Sequence, residues 1–292
     1  MKKLALFITF LVFAIQTQAQ HTITKQVTKT YMSLKSYKLK YKDKPLTKTD
    51  SLNFRFHNND TLVLVTNYEL PKGVSVPYEY KDSTFLSLYK KVAFRTNGVD
   101  STDKKQTMRY WKEPIKIYFS NSVSKKTKKS FMSFAETIAN KVDSLSISEV
   151  KKVEESNYVI YYLGDYDYEP RLTNQNDYYL SWNKKQQIYK CGLKIDTKAL
   201  FNESLIQYKL RELFIGTLGH FYLSNDFSCD SYLSNCYSKN KKLTPLDMEI
   251  IKYHYSYGIC KGSSLEAFEK QHERAKKSLK NENSKMRIFH EF

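Results

Sequence analysis

Twenty-two residues from Leu205 to Asp226, LIQYKLRELFIGTLGHFYLSND, hold the densest set of side chains that could do chemistry: Glu212, Arg211, His220, Tyr222 and Asp226. A helix that binds a catalytic zinc ion through H-E-x-x-H works because His residues at i and i+4 share one face, with the intervening Glu as base. No H-E-x-x-H occurs in the chain. Aligned on Leu218-Gly219, the longer pattern H-E-x-x-H-x-x-G-x-x-H places Glu212, Gly216 and Tyr222 at the three His positions and Leu213 at the base. A shift of one residue keeps Glu212 as the base but sets Arg211 and Ile215 at the first two ligand positions. Both registers lose the metal. Glu212 remains the candidate catalytic residue, since a cleft position would raise its pKa by burial and suit acid or base work. A salt bridge to Arg171 or Lys209, or plain exposure, are the competing readings of it.

Three aspartates, Asp226, Asp230 and Asp247, could line the same cleft and offer oxygens to a hard cation such as calcium, although their spacing matches no EF-hand loop. The sequence therefore predicts no bound cofactor, with zinc and calcium as the ions weighed. His220 stands eight residues after Glu212, roughly 12 Å of helix rise, so the two cannot share an ion, and it reads as a cap or surface histidine. His254, among Tyr253, Tyr255 and Tyr257, reads as part of an aromatic core face. A second candidate surface lies in DYYLSW, where Tyr178, Tyr179 and Trp182 would present large rigid rings to a peptide or glycan. Packing against neighbouring structure is the plainer reading of those rings.

Four cysteines follow residue 190: Cys191, Cys229, Cys236 and Cys260. An even count suits disulfides in an oxidising compartment. Cys229 with Cys236 would close a short loop, leaving Cys191 to meet Cys260. The start, MKKLALFITFLVFAIQTQAQ, has Lys2 and Lys3, an apolar run from Leu4 to Ile15, and Ala19. It reads as a signal peptide over 1–19, giving a periplasmic or extracellular protein with no transmembrane segment. Net charge is +18, or +16 once Lys2 and Lys3 are removed. The basic residues are scattered and no nucleic-acid signature accompanies them, so they read as solvated lysines.

The elements that must position these residues follow from periodicity. Residues 20–107 read as a β-rich region, with a hairpin in SLNFRFHNNDTLVLVTNY and further strands in SVPYEY and FLSLYKKVAFRT, the last also compatible with a short helix. PIKIYFS, NYVIYYLGD, DYYLSWN and IYKCGLKID read as strands of a mixed sheet. A helix from Ser124 to about Leu145 crosses between the first two, as in a β-α-β unit. A helix over Leu205 to Tyr222 opens at Asn202 or at a Ser204-x-x-Gln207 capping box and ends where Gly219 turns left-handed. LTPLDMEIIKYHYSYG forms a closing helix with Pro245 in its first turn, and Ser263-x-x-Glu266 opens a C-terminal helix and basic tail over 263–292.

The order of these segments carries a resemblance. W-x-x-P with an alternating strand (Trp111 to Phe119), a long helix, a strand, an edge strand, the Gly192-to-Asp196 strand end, E-L-x-x-x-L-G (Glu212 to Gly219), Asn225-Asp226, and L-T-P-L-D…I-x-x-x-Y (Leu243 to Tyr255) together resemble the metzincin-like exported proteins of zincin fold. The resemblance covers about residues 108–260 and implies a metzincin-like domain over 108–262. It implies an α+β fold in which the mixed sheet packs with an active-site-type helix and a closing helix. It also implies that Glu212 and Asp226 correspond to acidic positions the nonpeptidase relatives keep, and that Leu233 in SYLSN stands where metzincins have a Met-turn. The expected function is a non-catalytic exported binding or interaction protein for an extracellular peptide or glycan. The alternative is a secreted zinc-dependent peptidase or other hydrolase with atypical ligands.

Overall fold

A computed structural model describes residues 30–42, 44–57, 60–65, 73–96, 106–279 and 286–291. The signal peptide expected over 1–19 lies outside them. The chain divides into two compact units, Met1–Pro71 and Lys72–Phe292. Residues 73–96, read in sequence with the β-rich region, therefore belong to the second unit.

In the first unit, β1 (Thr30–Ser33), β2 (Arg55–His57) and β3 (Asp60–Val65) form an antiparallel sheet in the order β1-β3-β2. The expected hairpin is present, with Arg55 opposite Leu62 and His57 opposite Asp60. Its first strand is shorter than the alternation of Leu52, Phe54 and Phe56 suggests. Leu52 belongs instead to helix α2 (Lys48–Leu52), whose Thr47 and Asp50 form a capping box. A helix α1 (Leu34–Lys40) precedes it and buries Tyr37.

The second unit is mixed α/β around a mostly parallel sheet. It opens with β4 (Gly73–Pro77), paired antiparallel to β11 (Arg287–Glu291). FLSLYKKVA, expected as a strand or short helix, is helix α3 (Ser83–Ala93), capped by the Asp82 carboxylate on the Thr84 and Phe85 amides. Phe85, Leu86, Tyr89, Val92 and Ala93 fall on one buried face at helical spacing. The central sheet contains β5 (Tyr110–Trp111), β6 (Ile115–Phe119), β7 (Ile147–Glu149), β8 (Tyr158–Tyr162), β9 (Asp177–Trp182) and β10 (Gln187–Ile195). Strands β7, β6, β8 and β10 run parallel in that spatial order, and β9 pairs antiparallel to β10. Among the described residues β9 has no other strand partner, so it is an edge.

Helix α4 (Lys125–Ala139) starts at the expected cap, Ser124, whose hydroxyl accepts the Thr127 amide. It stops six residues short of Leu145. Helix α5 (Glu203–Gly219) is capped by Asn202, as one of the two sequence readings had it. Its first half is mostly half-buried with Leu210 turned into the core, while Leu213 to Gly219 is buried without a break. A helix end so placed must satisfy its last carbonyls with side chains. Trp111 Nε1 donates to the Thr217 carbonyl at 3.0 Å and the Tyr255 hydroxyl to that of Leu218 at 2.6 Å. The left-handed residue that closes α5 is His220, with φ 53°, rather than Gly219. Gly219 meets a different demand: a Cβ there would stand 2.9 Å from the His254 ring and closer still to Phe221.

Helix α6 (Pro245–Tyr255) is the expected closing helix, with Pro245 in its first turn and a capping box between Thr244 and Asp247. Helix α7 (Leu265–Ser278) is capped by Ser264, one residue later than expected. No helix among the described residues is long and apolar enough to cross a membrane.

Candidate functional site

Helix α5 carries Glu212 into the flank of a groove of about 950 Å³. The loop before α5 and the loop after it supply the groove's rings: Phe201 is 82% exposed and Tyr237 is 77% exposed. Rings of that size are seldom left in water without purpose when they share one concavity with further apolar surface, here Leu200, Leu205 and Leu223. The Cys229–Cys236 disulfide, expected from sequence, ties the second loop, and Cys236 lies in the groove wall. Ser234 in the same loop accepts a hydrogen bond at 2.7 Å from Lys241 Nζ, which fixes that lysine's position.

Lys241 is almost completely buried, and a buried ammonium needs an anion. Glu212 provides it: Oε2 accepts Lys241 Nζ at 3.0 Å and Oε1 accepts Lys209 Nζ at 2.7 Å. This arrangement reverses the expected electrostatics of Glu212. Burial works to raise its pKa, but Lys209 and Lys241 outweigh burial and hold it below the usual carboxylate range. The carboxylate is a charge anchor between helix and loop. Of the two ion-pair partners considered from sequence, Lys209 is present; Arg171 is committed instead to the buried Glu169, at 2.6 Å.

The three aspartates do not converge. Asp226 pairs with Lys91 at 2.7 Å and Asp230 with Lys242 at 3.0 Å. Asp247 is buried in α6, where it accepts from the Thr244 and Tyr232 amides and the Ser231 hydroxyl. Burial pushes the Asp247 carboxyl up, and its amide and hydroxyl partners only partly offset this. Among the described residues no three His, Cys, Asp or Glu side chains assemble into a metal site. The aspartates are each consumed by a lysine or a cap before they can share an ion.

The pairing expected for Cys191 and Cys260 is corrected: both are free thiols. Cys191 lies in the middle of β10, fully buried against the Tyr158 hydroxyl, and burial pushes its thiol well above the ordinary value. A side chain locked into the sheet core cannot turn toward a loop cysteine without breaking the strand. Under native conditions a thiol reagent should titrate one cysteine per chain, Cys260, and under denaturant two. Four thiols without reductant, or none, would contradict this assignment.

The edge-strand aromatics also part company. Tyr178 turns inward, its ring atoms 3.1 Å from where a Cβ on Gly216 would stand, and burial pushes its hydroxyl up. Tyr179 lies under the Arg171 guanidinium at 4.3 Å. Trp182, 38% exposed, is the most open of the three and lies beneath Arg109 at 3.8 Å. Gly216 and Tyr222, the remaining positions of the longer zinc pattern, are thus respectively covered by a phenol and drawn into a ring cluster with His220. No family model and no curated protein matches this chain.

Phe201, Tyr237 and Lys241 were not singled out in sequence. Exposed aromatics next to loop breakers, such as Phe201 before Asn202, were the one available signal. Lys241 in KNKK looked like every other surface lysine.

Proposed function

We propose that the chain is an exported, non-catalytic binding protein on a metzincin-like scaffold, and that it captures extracellular peptides in the groove beside α5. The observation that carries this reading is the double pairing of Glu212, both of whose oxygens are engaged by ammonium groups. A general base works best with a pKa near the working pH, and a carboxylate held low by two cations accepts a proton poorly. The scaffold reading is supported by the parallel strands, the antiparallel edge strand β9, the buried end of α5 and the closing helix α6. Export is supported by the disulfide, which forms and persists in oxidising compartments, and by the signal-like N-terminal residues.

Peptide is favoured over glycan at this groove because Phe201, Tyr237 and the leucines offer apolar pockets for side-chain anchors, while Asn202, Asn235, Ser238 and Lys239 offer polar partners for a peptide backbone. The test is binding of a fluorescent library of short peptides with Phe, Leu or Tyr anchors. Phe201→Ser and Tyr237→Ser should each weaken the selected peptides about tenfold, a loss of about 1.4 kcal/mol, while thermal stability stays near the parent's. Binding untouched by both substitutions would end this reading. Cleavage of the peptides would favour a hydrolase with atypical ligands.

A further inference from the structure

At the other end of α5 a row of cations and rings runs from Arg109, just before β5, to Arg95, two residues after α3. The Arg109 guanidinium covers Trp182 at 3.8 Å and donates to His220 Nδ1. Trp182 stacks with His220 at 5.7 Å, His220 meets Tyr222 at 5.0 Å, and Arg95 covers Tyr222 at 4.9 Å. Neither arginine forms an ion pair among the described residues. The Arg109 Nε is buried and has no hydrogen-bond partner. Partly buried guanidinium groups normally hold a carboxylate or phosphate, because losing water without gaining an anion is costly. Lys241 follows this rule with Glu212, whereas Arg211, which also has a buried Nε without a partner, keeps the Ser130 hydroxyl and the Phe134 ring. Arg109 differs from Arg211 in lying beside a second unpaired guanidinium, Arg95, and the solvent-open Trp182. Burial first, then Arg109 and Arg95, push the His220 pKa down to about 4, so the imidazole between the arginines stays neutral at ordinary pH and offers them no charge.

We propose that Arg95 and Arg109, with Trp182 and Tyr222, form a second binding site that takes an acidic saccharide of the uronate class. The carboxylate is the planar oxyanion that a guanidinium fork fits. The apolar C–H faces of a sugar ring match the aromatic surface beside it, and Trp182 is open to solvent. The site shares no residue with the groove of Phe201 and Tyr237, so it stands whether or not that groove binds peptide.

The chain contains two tryptophans, and Trp111 is 1% exposed, so emission changes on ligand addition report Trp182. Full-length protein is titrated with tetragalacturonate, with galactotetraose as its neutral counterpart and with tetraglutamate as a charged non-sugar. The expected result is saturable quenching by tetragalacturonate alone, weakened about tenfold by Arg95→Gln and by Arg109→Gln, and unchanged by Lys126→Gln on a remote exposed lysine. Calorimetry on the same variants checks the affinities without the fluorophore. Arg95 is exposed, so its variant remains informative even if Arg109→Gln folds poorly. Unaltered binding by Arg95→Gln, equal weakening by Lys126→Gln, or equal affinity for tetraglutamate would overturn the proposal.

Discussion

Replacing Glu212 with Gln should destabilise the protein by roughly 3 kcal/mol, the loss typical when one member of a buried ion pair is removed. The side chain of Lys241 is 7% exposed and has only the Ser234 carbonyl as a further partner. Without the carboxylate its ammonium is buried with no counter-charge. The cost should therefore depend on Lys241. Adding Lys241→Met to Glu212→Gln should recover a large part of the loss, because two uncharged side chains remove the unpaired charge altogether. Guanidinium denaturation of the parent, the two single variants and the double variant measures this cycle. A Glu212→Gln variant as stable as the parent would mean that the pairing does not anchor the loop.

Acidification from pH 6.5 toward pH 4 should also unload the fold. His254 is fully buried between the Tyr89 hydroxyl, 3.0 Å from Nδ1, and the Arg109 carbonyl, 2.8 Å from Nε2. Burial, reinforced by Lys261 and opposed by the Arg109 carbonyl, pushes its pKa down to about 4. The unfolded chain takes up this proton near pH 6.5 and the folded chain only near pH 4, so stability is full above 6.5 and falls through that window. The difference corresponds to about 3 kcal/mol for His254. His220, lowered to about 4, acts in the same direction. The lowered carboxylates, Glu212 among them, lose their contribution only below about pH 4.5, and the raised Asp247 carboxyl acts in the opposite direction, so a loss of stability between about pH 6.5 and 5 belongs to the imidazoles. Denaturation midpoints across that range should fall steeply in the parent and less steeply in His254→Phe. Equal slopes in the two proteins would place the proton uptake elsewhere.

Much of the second unit was legible because local signals agreed with tertiary demands. The apolar run of β8, the stripe of α4 from Ser124, and the Thr244-Pro245-Asp247 start of α6 each name one structure by composition and spacing. Helix α3 was ambiguous because Phe85, Leu86, Leu88 and Tyr89 satisfy both periods over so short a run. At the end of α5, glycine rules pointed to Gly219, but the space beside His254 and Phe221 required a residue without Cβ there, and the left-handed turn passed to His220. The site was less legible than the scaffold. Glu212 could be found from its helix, but its electrostatics depend on Lys241, twenty-nine residues on and brought back by the disulfide-tied loop. The same holds for Arg109 and Arg95, whose neighbours in sequence give no hint of Trp182 or Tyr222.

The central claim is that the groove beside Glu212 binds peptide without cutting it. A mixed peptide library incubated overnight with the protein, with and without added zinc, and then analysed by mass spectrometry, tests both halves together. The account predicts a subset of intact peptides retained by the parent and by Lys126→Gln but lost with Phe201→Ser and Tyr237→Ser. Shortened peptides that appear with the parent and disappear with Glu212→Gln would contradict it.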